Sequence, residues 1–517
     1  MNIFKRILAI LLVCVFVGTA LVGCSKKQGN EEPTGSNGTE ETEQGTNKYN
    51  EVTFDSALKE SEFDFDGEKI TVMHRSGEII EREWHKKSPE DELDQAVAIR
   101  NATVEEHLNI ELNYEVVQWG DYDTSAANFN SKVLDDYNSG THYYDVIANF
   151  AYSATYPSIR DCYANLLDTT EFPWFDFSLP CWNQAIVNKT TVNDRLFYVA
   201  GDINLSLFDS AMVIWFNKTL YDEKKLLEEG DADNIQELAL KGDWTYDELY
   251  KWAGRAWEDS NGQPGKQKDD TYTYATGIKG RYATPADSIP HAWDLEFLVE
   301  NQDGTHAYNI IGNTKAAEAM TKFRNLYDAD GTCEGSSIDS FAAGKYVFFT
   351  NVIYPGKQAN MTIREMEDKY GILPMPKYDL EQENYGTTAT DGYSLMSVID
   401  HDDLKGEAVS AYLQFATEES YTAVRGYYFN RIIKPRYFGT DDSDGTVTNS
   451  IKLFDIIVAN IEFEFWNIFS SQLNNIAWLW RDTVGKTGNP TIENEFRSNE
   501  PLFMDALEKT DEWFDLY

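Results

Sequence analysis

The pattern of apolar and polar positions along the chain predicts alternating strands and helices. Residues 69–74 form a short β-prone run. Apolar residues recur at helical spacing over residues 93–108, and then alternate with polar ones over residues 110–116. Helical spacing returns over residues 122–137, and residues 145–148 read as another strand. This β-α-β-α-β order is typical of an open, mostly parallel sheet.

Polar residues mark where two of the predicted helices begin. Ser88 can cap the first of them, and Pro89 suits its first turn. In the middle of the chain, Thr245 and Glu248 can form a capping box, and Trp244 can form a hydrophobic staple with Leu249. The sequence therefore predicts one helix start at Ser88 and another at Thr245.

The second half of the chain adds further elements of both kinds. An apolar stripe over residues 316–327 predicts a helix, and Gly344 predicts the end of another helix. Strands are predicted at residues 347–349, 371–374 and 394–398. The last 70 or so residues are mostly helical and rich in Trp and Phe. Their aromatic residues are interpreted as core, namely Trp466, Trp478 and Trp480.

Composition limits the possible partners. The chain has 517 residues, with 44 Lys and Arg against 87 Asp and Glu, which gives a formal net charge of −43. This acidity argues strongly against nucleic acid, because phosphate binding needs clustered basic side chains. It also disfavours docking on anionic lipid through a basic face. The apolar fraction of 42% can bury a large core, so disorder of the whole chain is excluded.

The N-terminus has the features of an export signal. Lys5 and Arg6 precede an apolar run at residues 7–22 that is short for a membrane span. The following Leu-Val-Gly-Cys, which ends at Cys24, resembles the lipobox of bacterial lipoproteins. In that class the cysteine carries acyl chains such as palmitate and becomes the mature N-terminus. The alternative is an uncleaved membrane helix.

A polar segment follows this signal. Residues 25–48 contain no large apolar side chain, so they cannot bury enough area to offset their ordering entropy. We therefore predict a signal peptide at residues 1–23, and a lipidated N-terminus with a disordered tether at residues 24–62. Cys162, Cys181 and Cys333 remain in the body of the chain. A Cys162–Cys181 bridge is left open, because spacing alone does not establish a disulfide.

The order of these segments resembles that of a bacterial extracellular solute-binding lipoprotein of an ATP-binding-cassette (ABC) importer, in the carbohydrate-binding branch. The resemblance spans roughly residues 63–517. Besides the lipobox, the matching stretches are YDVI at 144–147, LFYV at 196–199, GD at 201–202, VIWFNK at 213–218, DWTYDEL at 243–249, FAAGK at 341–345, YGILPMP at 370–376 and DGYS at 391–394.

This resemblance implies an α/β protein of the two-lobe periplasmic-binding-protein type II fold, with mixed sheets flanked by helices around an interlobe cleft. Lobe 1 would comprise residues 63–209 and 392–440, and lobe 2 residues 210–391 and 441–517. Closure of the lobes would report an occupied cleft to the permease. The implied partners are a small carbohydrate, the transmembrane permease subunits and, through the lipid, the outer face of the bacterial cell membrane. A monomer without cofactor or metal is expected.

Candidate ligand contacts are aromatic and polar residues at strand ends and at the two implied crossovers between the lobes, near residues 208–211 and 391–392. Trp293 is added from a loop-rich region of lobe 2. A sugar offers apolar ring faces to aromatic rings and hydroxyls to Asp and Asn. In an open α/β sheet, ligands bind beyond the carboxyl ends of the strands. The candidates are Trp84, Trp119, Asp121, Tyr152, Asp202, Asn204, Asp209, Trp293, Tyr354, Asp391 and Tyr393.

Other functions find less support in the sequence. Peptides, amino sugars or polyols could be captured by the same machinery. A surface glycosidase needs a carboxylate pair, but 87 carboxylates make any pair uninformative. Nucleophile, metal-ligand and phosphate-loop motifs do not occur, so we expect no enzyme. The acidic turns at residues 64–67 and 442–445 lack the glutamate that ends an EF-hand loop, which leaves a simple calcium turn open.

Overall fold

Two β-sheets flanked by helices organise the chain. The structure is a computed structural model that describes residues 57–85, 88–228, 231–260, 262–263, 270–276, 284–335, 337–354, 362–390, 392–402, 404–434, 438 and 442–516. The candidate Asp391 and the lipidation candidate Cys24 lie outside the described residues. Among the described residues, no helix combines the length and the apolar character that crossing a membrane requires.

The strands alternate with helices along the chain, as the sequence predicts. They are β1 (Glu68–Arg75), β2 (Ile110–Val117), β3 (Val146–Phe150), β4 (Met212–Asn217), β5 (Tyr272–Thr276), β6 (Leu298–Glu300), β7 (His306–Tyr308), β8 (Thr332–Glu334), β9 (Tyr346–Val352), β10 (Tyr370–Leu373), β11 (Thr387–Thr388), β12 (Ser394–Val398) and β13 (Ile461–Glu462).

The helices cover the sheets, and they also make up most of the C-terminal segment. They are α1 (Ala57–Glu60), α2 (Glu78–Trp84), α3 (Glu92–Leu108), α4 (Tyr122–Ser139), α5 (Ala151–Ala154), α6 (Gln184–Thr190), α7 (Leu205–Asp209), α8 (Lys218–Glu223), α9 (Ile235–Lys241), α10 (Tyr246–Trp252), α11 (Thr284–Asp287), α12 (Ile289–Ala292), α13 (Thr314–Asp328), α14 (Ile338–Ala342), α15 (Gly406–Glu419), α16 (Thr446–Ala459), α17 (Phe465–Ile468), α18 (Ile476–Val484) and α19 (Ile492–Trp513).

The first sheet has the strand order β12-β3-β1-β2. Strand β1 runs parallel to β2 and β3, whereas β12 runs antiparallel to β3. The carboxyl ends of β1, β2 and β3 and the start of β12 therefore lie along one edge of the sheet. The β-α-β-α-β prediction for this part of the chain is confirmed.

The second sheet has the strand order β10-β4-β9-β5-β8 and contains both parallel and antiparallel pairs. Strand β4 is antiparallel to β10 and β9, whereas β5 is parallel to β9 and β8. Short pairs join β11 to β13 and β6 to β7. The first sheet draws its strands from residues 68–150 and 394–398, and the second from residues 212–373.

Three segments connect the two sheets. The first leads from α7 into β4, and the second leads from β11 into β12. They lie side by side, since Ala211 pairs with Ala389 and the Thr390 amide donates to the Ser210 carbonyl at 2.8 Å. The third continues α15 through two π-helical stretches, Ser420–Arg425 and Tyr428–Ile433. The exact lobe boundaries stay a prediction.

Strand β1 shows how alternation builds the core on both faces of the first sheet. Ile70 and Val72 pack with Val104 of α3, whereas Met73 belongs to a larger buried set on the opposite face. This larger set continues through the connecting segments to Trp215 on β4 of the second sheet. The apolar packing therefore holds the connections between the sheets as well as the sheets themselves.

Of the two predicted helix starts, the one at Thr245 is confirmed and the one at Ser88 is wrong. The Thr245 hydroxyl accepts from the Glu248 amide at 3.4 Å, so the start of α10 is as predicted. The start predicted at Ser88 is wrong, because α3 begins at Glu92. Asp91 caps this helix by accepting from the Leu93 and Asp94 amides. A carboxylate directly before the first helical residue satisfies these amides better than a hydroxyl three residues further back.

Two features that the sequence leaves open are a disulfide and a simple calcium turn. Cys162 and Cys181 are both buried free thiols, so the bridge left open between them is not formed. Burial raises the pKa of the Cys162 thiol to about 11. In the described part of the chain, no cluster of three or more His, Cys, Asp or Glu side chains could hold a metal ion.

Candidate functional site

A cavity of about 490 Å³ opens at the carboxyl-terminal edge of the first sheet. This volume falls within the usual range of small-molecule sites. Its walls come from the ends of β2 and β3, from the segment that leads into β12, from α11 and from the C-terminal helices. The lining residues are Gly120, Tyr122, Asp123, Phe150, Ala151, Tyr152, Asp287, Ser288, Thr388, Ala389, Thr390, Tyr393, Asn467, Ile468, Ser470, Ala477, Trp478, Arg481 and Asp482.

Aromatic rings form one continuous wall of the cavity. Tyr152 stacks on Trp478, with ring centroids 4.9 Å apart and an interplanar angle of 12°. Its hydroxyl donates to the side-chain oxygen of Asn475. Tyr122 lies edge-on to Phe150 at 5.2 Å and tilted against Tyr152 at 6.1 Å. Such a wall offers flat apolar surface to a ligand ring.

Local backbone geometry sets Trp478 in this wall. Asn474 and Asn475 both adopt positive φ angles, of 53° and 61°, which asparagine tolerates better than most residues. The Asn475 amide donates to the Ser470 carbonyl at 2.7 Å, which closes the turn before α18. The Ser470 hydroxyl accepts from the Ala477 amide at 3.1 Å. The orientation of α18, and with it of Trp478, is therefore fixed from its first turn.

Polar groups complete the cavity. Arg481 Nη1 lies 2.6 Å from Asp287 Oδ2, and its guanidinium lies 4.6 Å from the centre of the Trp478 ring. The buried Thr388 hydroxyl has no hydrogen-bond partner within the described residues. Because buried polar groups are nearly always satisfied, a ligand hydroxyl is a suitable partner for it. The Ser288 hydroxyl donates to the Pro285 carbonyl and keeps its acceptor capacity.

The structure brings two of the predicted ligand contacts into the cavity, Tyr152 and Tyr393. Two others lie close to the wall without lining it. Trp119 packs behind the wall against Phe150 at 5.5 Å. Asp121 caps α4 by accepting from the Thr124 amide, although its neighbours on both sides line the cavity.

Two predicted tryptophans lie in the packed interior instead. Trp84 ends α2 and is fully buried, and its carbonyl accepts from Asn101 at 2.7 Å. Trp293 is also fully buried, and its indole N–H donates to the Pro376 carbonyl at 3.1 Å. Neither lines the cavity. Both indoles therefore take part in core packing.

Four predicted contacts lie together around the connecting segments. Arg425 Nη1 donates to both carboxylate oxygens of Asp202, at 2.9 and 2.7 Å. The Asn204 side chain accepts from the Gly201 amide at 3.1 Å. The Tyr428 hydroxyl donates to Asp209, whose carbonyl accepts from the Tyr354 amide. We call Asp202, Asn204, Asp209, Tyr354, Arg425 and Tyr428 the hinge cluster.

Burial dominates the electrostatics of the hinge cluster. It raises the pKa of Asp202 to about 6, against the opposing effect of Arg425. It raises the pKa of Asp209 to about 7, although the Tyr428 hydroxyl and Arg82 act in the opposite direction. Glu83, which accepts from the Ser206 amide and the Ser394 hydroxyl, is fully buried nearby, and burial raises its pKa too. The connecting segments thus contain carboxyls that can change charge near neutral pH.

We expect Asp209→Asn to gain stability relative to wild type as the pH rises. A buried carboxyl with a raised pKa stabilises the fold at low pH and loses this contribution as the pH rises through its folded value. Between pH 5 and pH 8 the relative gain of the neutral variant is expected to reach roughly 2–3 kcal/mol. Urea unfolding of both proteins at the two pH values measures it. Other titrating groups, such as His291, are common to both proteins, so their effects cancel in the difference between the two unfolding free energies. A difference that does not depend on pH would contradict the raised pKa.

Sequence reasoning missed the contribution of α18. Trp466 and Trp480 are buried as predicted, but Trp478 is only half-buried and lines the cavity. Trp478, Arg481 and Asp482 stand at i, i+3 and i+4, so they share one face of the helix. A tryptophan on the polar face of an amphipathic helix is the signal that could have identified this site.

Solved structures match the chain over most of its length. The cyclic α-maltosyl-1,6-maltose-binding protein of Arthrobacter globiformis is 14% identical, with 86% of this chain and 100% of that chain covered and a TM-score of 0.54. The galacto-N-biose-/lacto-N-biose I-binding protein of the Bifidobacterium longum ABC transporter is 13% identical, with 86% and 98% covered and a TM-score of 0.51.

A third match is an ABC transporter solute-binding protein from Thermotoga lettingae with bound α-D-tagatose. It is 11% identical, with 86% of this chain and 99% of that chain covered and a TM-score of 0.50. No family model and no curated protein matches the sequence. At these identities the matches concern the fold, and the predicted two-lobe α/β fold is confirmed.

Proposed function

We propose that this chain, whose two-lobe α/β fold is that of the solute-binding proteins of ABC transporters, captures a sugar or short oligosaccharide for an ABC importer. The ligand occupies the cavity at the edge of the first sheet and leaves it chemically unchanged. A lipid on Cys24, a cleaved signal at residues 1–23 and a tether at residues 24–62 hold the monomeric body at the outer face of the bacterial cell membrane.

The observation that carries this proposal is the pairing of an aromatic wall with a polar rim in one cavity. Tyr152 and Trp478 supply flat apolar surface, and the same cavity is lined by Thr388, whose buried hydroxyl has no partner among the described residues. A sugar ring has the matching character, since its C–H faces are apolar and its edge carries hydroxyls. A purely apolar ligand would leave the polar groups unsatisfied.

The named ligands of the matched structures support the same class. The ligands of these proteins are cyclic α-maltosyl-1,6-maltose, lacto-N-biose and α-D-tagatose, all of which are carbohydrates. What these proteins support is the chemical class of the ligand.

Capture depends on closure of the lobes about the segments that connect the two sheets. Tyr152 follows β3 of the first sheet, whereas Asp287 follows β5 of the second. A ligand that touches both walls binds the closed arrangement of the lobes more tightly than an open one, and so shifts the population toward closure. The permease subunits then recognise the closed form.

A ligand panel tests the proposal. Neutral di- to tetrasaccharides, polyols and short peptides are titrated by calorimetry and in parallel by thermal unfolding. At 100 times its dissociation constant, a bound sugar should stabilise the protein by about 2.7 kcal/mol. The sugar should be recovered intact. Stabilisation by peptides alone would refute the carbohydrate assignment, and cleavage of an added glycan would refute simple capture.

A further inference from the structure

We infer that the ligand is a sugar without an anionic group, and that Asp482 discriminates against uronates and other negatively charged sugars. This inference rests on the proposed function and concerns the same cavity. It follows from the charges that line the walls, from the position of Asp482 in α18 and from the pairing of the nearby cations.

The described residues of the cavity walls carry more negative than positive charge. Among them are three carboxylates, those of Asp123, Asp287 and Asp482, and one guanidinium, that of Arg481. Arg481 Nη1 lies 2.6 Å from Asp287, so this cation is already compensated within the wall. Its guanidinium also lies against the Trp478 ring. An anionic sugar would therefore have to compete with Asp287 for the Arg481 guanidinium.

A further cation, Arg75, lies behind the wall. Its guanidinium carbon is 4.7 Å from the centre of the Phe150 ring and 5.4 Å from that of Trp119. It also donates a hydrogen bond to the Gly392 carbonyl. Phe150 lines the cavity and Arg75 does not. Arg75 thus supports the aromatic wall but does not present its charge to a ligand.

Asp482 occupies a position that its own helix does not favour. It stands in the last turn of α18, where the partial negative charge of the helix end repels a carboxylate. It is exposed, and within the described residues no lysine or arginine compensates it. A carboxylate that is unfavourable in its own helix but lines a cavity wall is expected to interact with the ligand.

The effect on ligands follows from their charge. A neutral sugar can donate hydroxyl hydrogen bonds to the Asp482 carboxylate, and such charge-assisted bonds are stronger than neutral ones. An amino sugar gains further attraction. A uronate, sulfate or phosphate group meets repulsion that salt screens only in part over a few ångströms.

Equilibrium dialysis against a mixed pool tests this inference. The pool contains di- to tetramers of neutral hexoses, of 2-aminohexoses and of hexuronates at equal concentrations, together with short peptides. Mass spectrometry identifies what the full-length protein retains. We expect hexose or aminohexose oligomers to be retained at least tenfold over hexuronates. Equal or preferential retention of hexuronates overturns the inference while sugar capture stands. Retention of no sugar overturns the proposed function and this inference with it.

Two single variants test whether Asp482 itself discriminates against hexuronates. Asp482→Asn should raise hexuronate retention about fivefold to tenfold at low salt, and the gain should shrink as salt is added. Asp135→Asn is the matched control, since Asp135 is exposed on α4 and does not line the cavity. It should leave retention unchanged. Equal behaviour of the two variants overturns the role of Asp482.

Discussion

Replacing Arg425 with methionine is expected to lower the free energy of unfolding by about 3–5 kcal/mol at pH 7.5. Only 11% of the Arg425 side chain and 6% of the Asp202 side chain are exposed, and Arg425 Nη1 reaches both carboxylate oxygens of Asp202. Without the guanidinium, the carboxylate stays buried with no counter-ion. Urea unfolding followed by tryptophan fluorescence measures the loss.

Adding Asp202→Asn to this variant separates charge from packing. Arg425 also lies over the Tyr421 ring at 4.2 Å, so methionine removes contact area as well as charge. The double variant carries no unpaired charge and should recover most of the loss. The single variant should also lose less stability at pH 5, because burial raises the pKa of Asp202 and the lone carboxyl can take up a proton. A double variant as unstable as the single one would attribute the loss to packing.

The sequence predicted the fold well where local patterns decide the structure. Strands β1 to β3 and the helices between them follow from periodicity alone, since a buried face imposes its spacing on the residues that form it. The edge of the sheet that holds the cavity follows from the strand directions. Tyr152 is predicted as a ligand contact on this basis and Tyr393 from its place at the implied crossover, and both line the cavity.

The rest of the cavity depends on contacts between residues far apart in sequence. Trp478 meets Tyr152 only because the C-terminal segment returns to the first sheet, and nothing near either residue encodes this return. The pair Asp202 and Arg425 is separated by 223 positions and relies on a π-helical stretch. Polar residues near a predicted crossover suit a ligand and a buried ion pair equally well. Only the three-dimensional structure separates these two roles.

Replacing Trp478 with alanine is expected to weaken binding of the captured sugar by about 2–4 kcal/mol, which is roughly 30- to 1,000-fold in dissociation constant. The indole is only half-buried, lines the cavity and stacks on Tyr152 at 4.9 Å. Its loss removes apolar surface that covers a sugar ring, and it also removes the surface against which Arg481 lies. Calorimetric titration with the sugar selected by the panel measures the effect.

Two further substitutions show whether the ring itself is responsible. Trp478→Phe keeps an aromatic face and should retain most of the affinity. Trp480→Phe, two positions further along α18, changes a fully buried indole that does not line the cavity. It should reduce stability and leave the dissociation constant unchanged. Wild-type affinity in Trp478→Ala, or equal losses of affinity in the Trp478 and Trp480 variants, would show that the ligand does not bind at this wall. The Tyr152–Trp478 stack would then be a structural contact between the first sheet and the C-terminal helices.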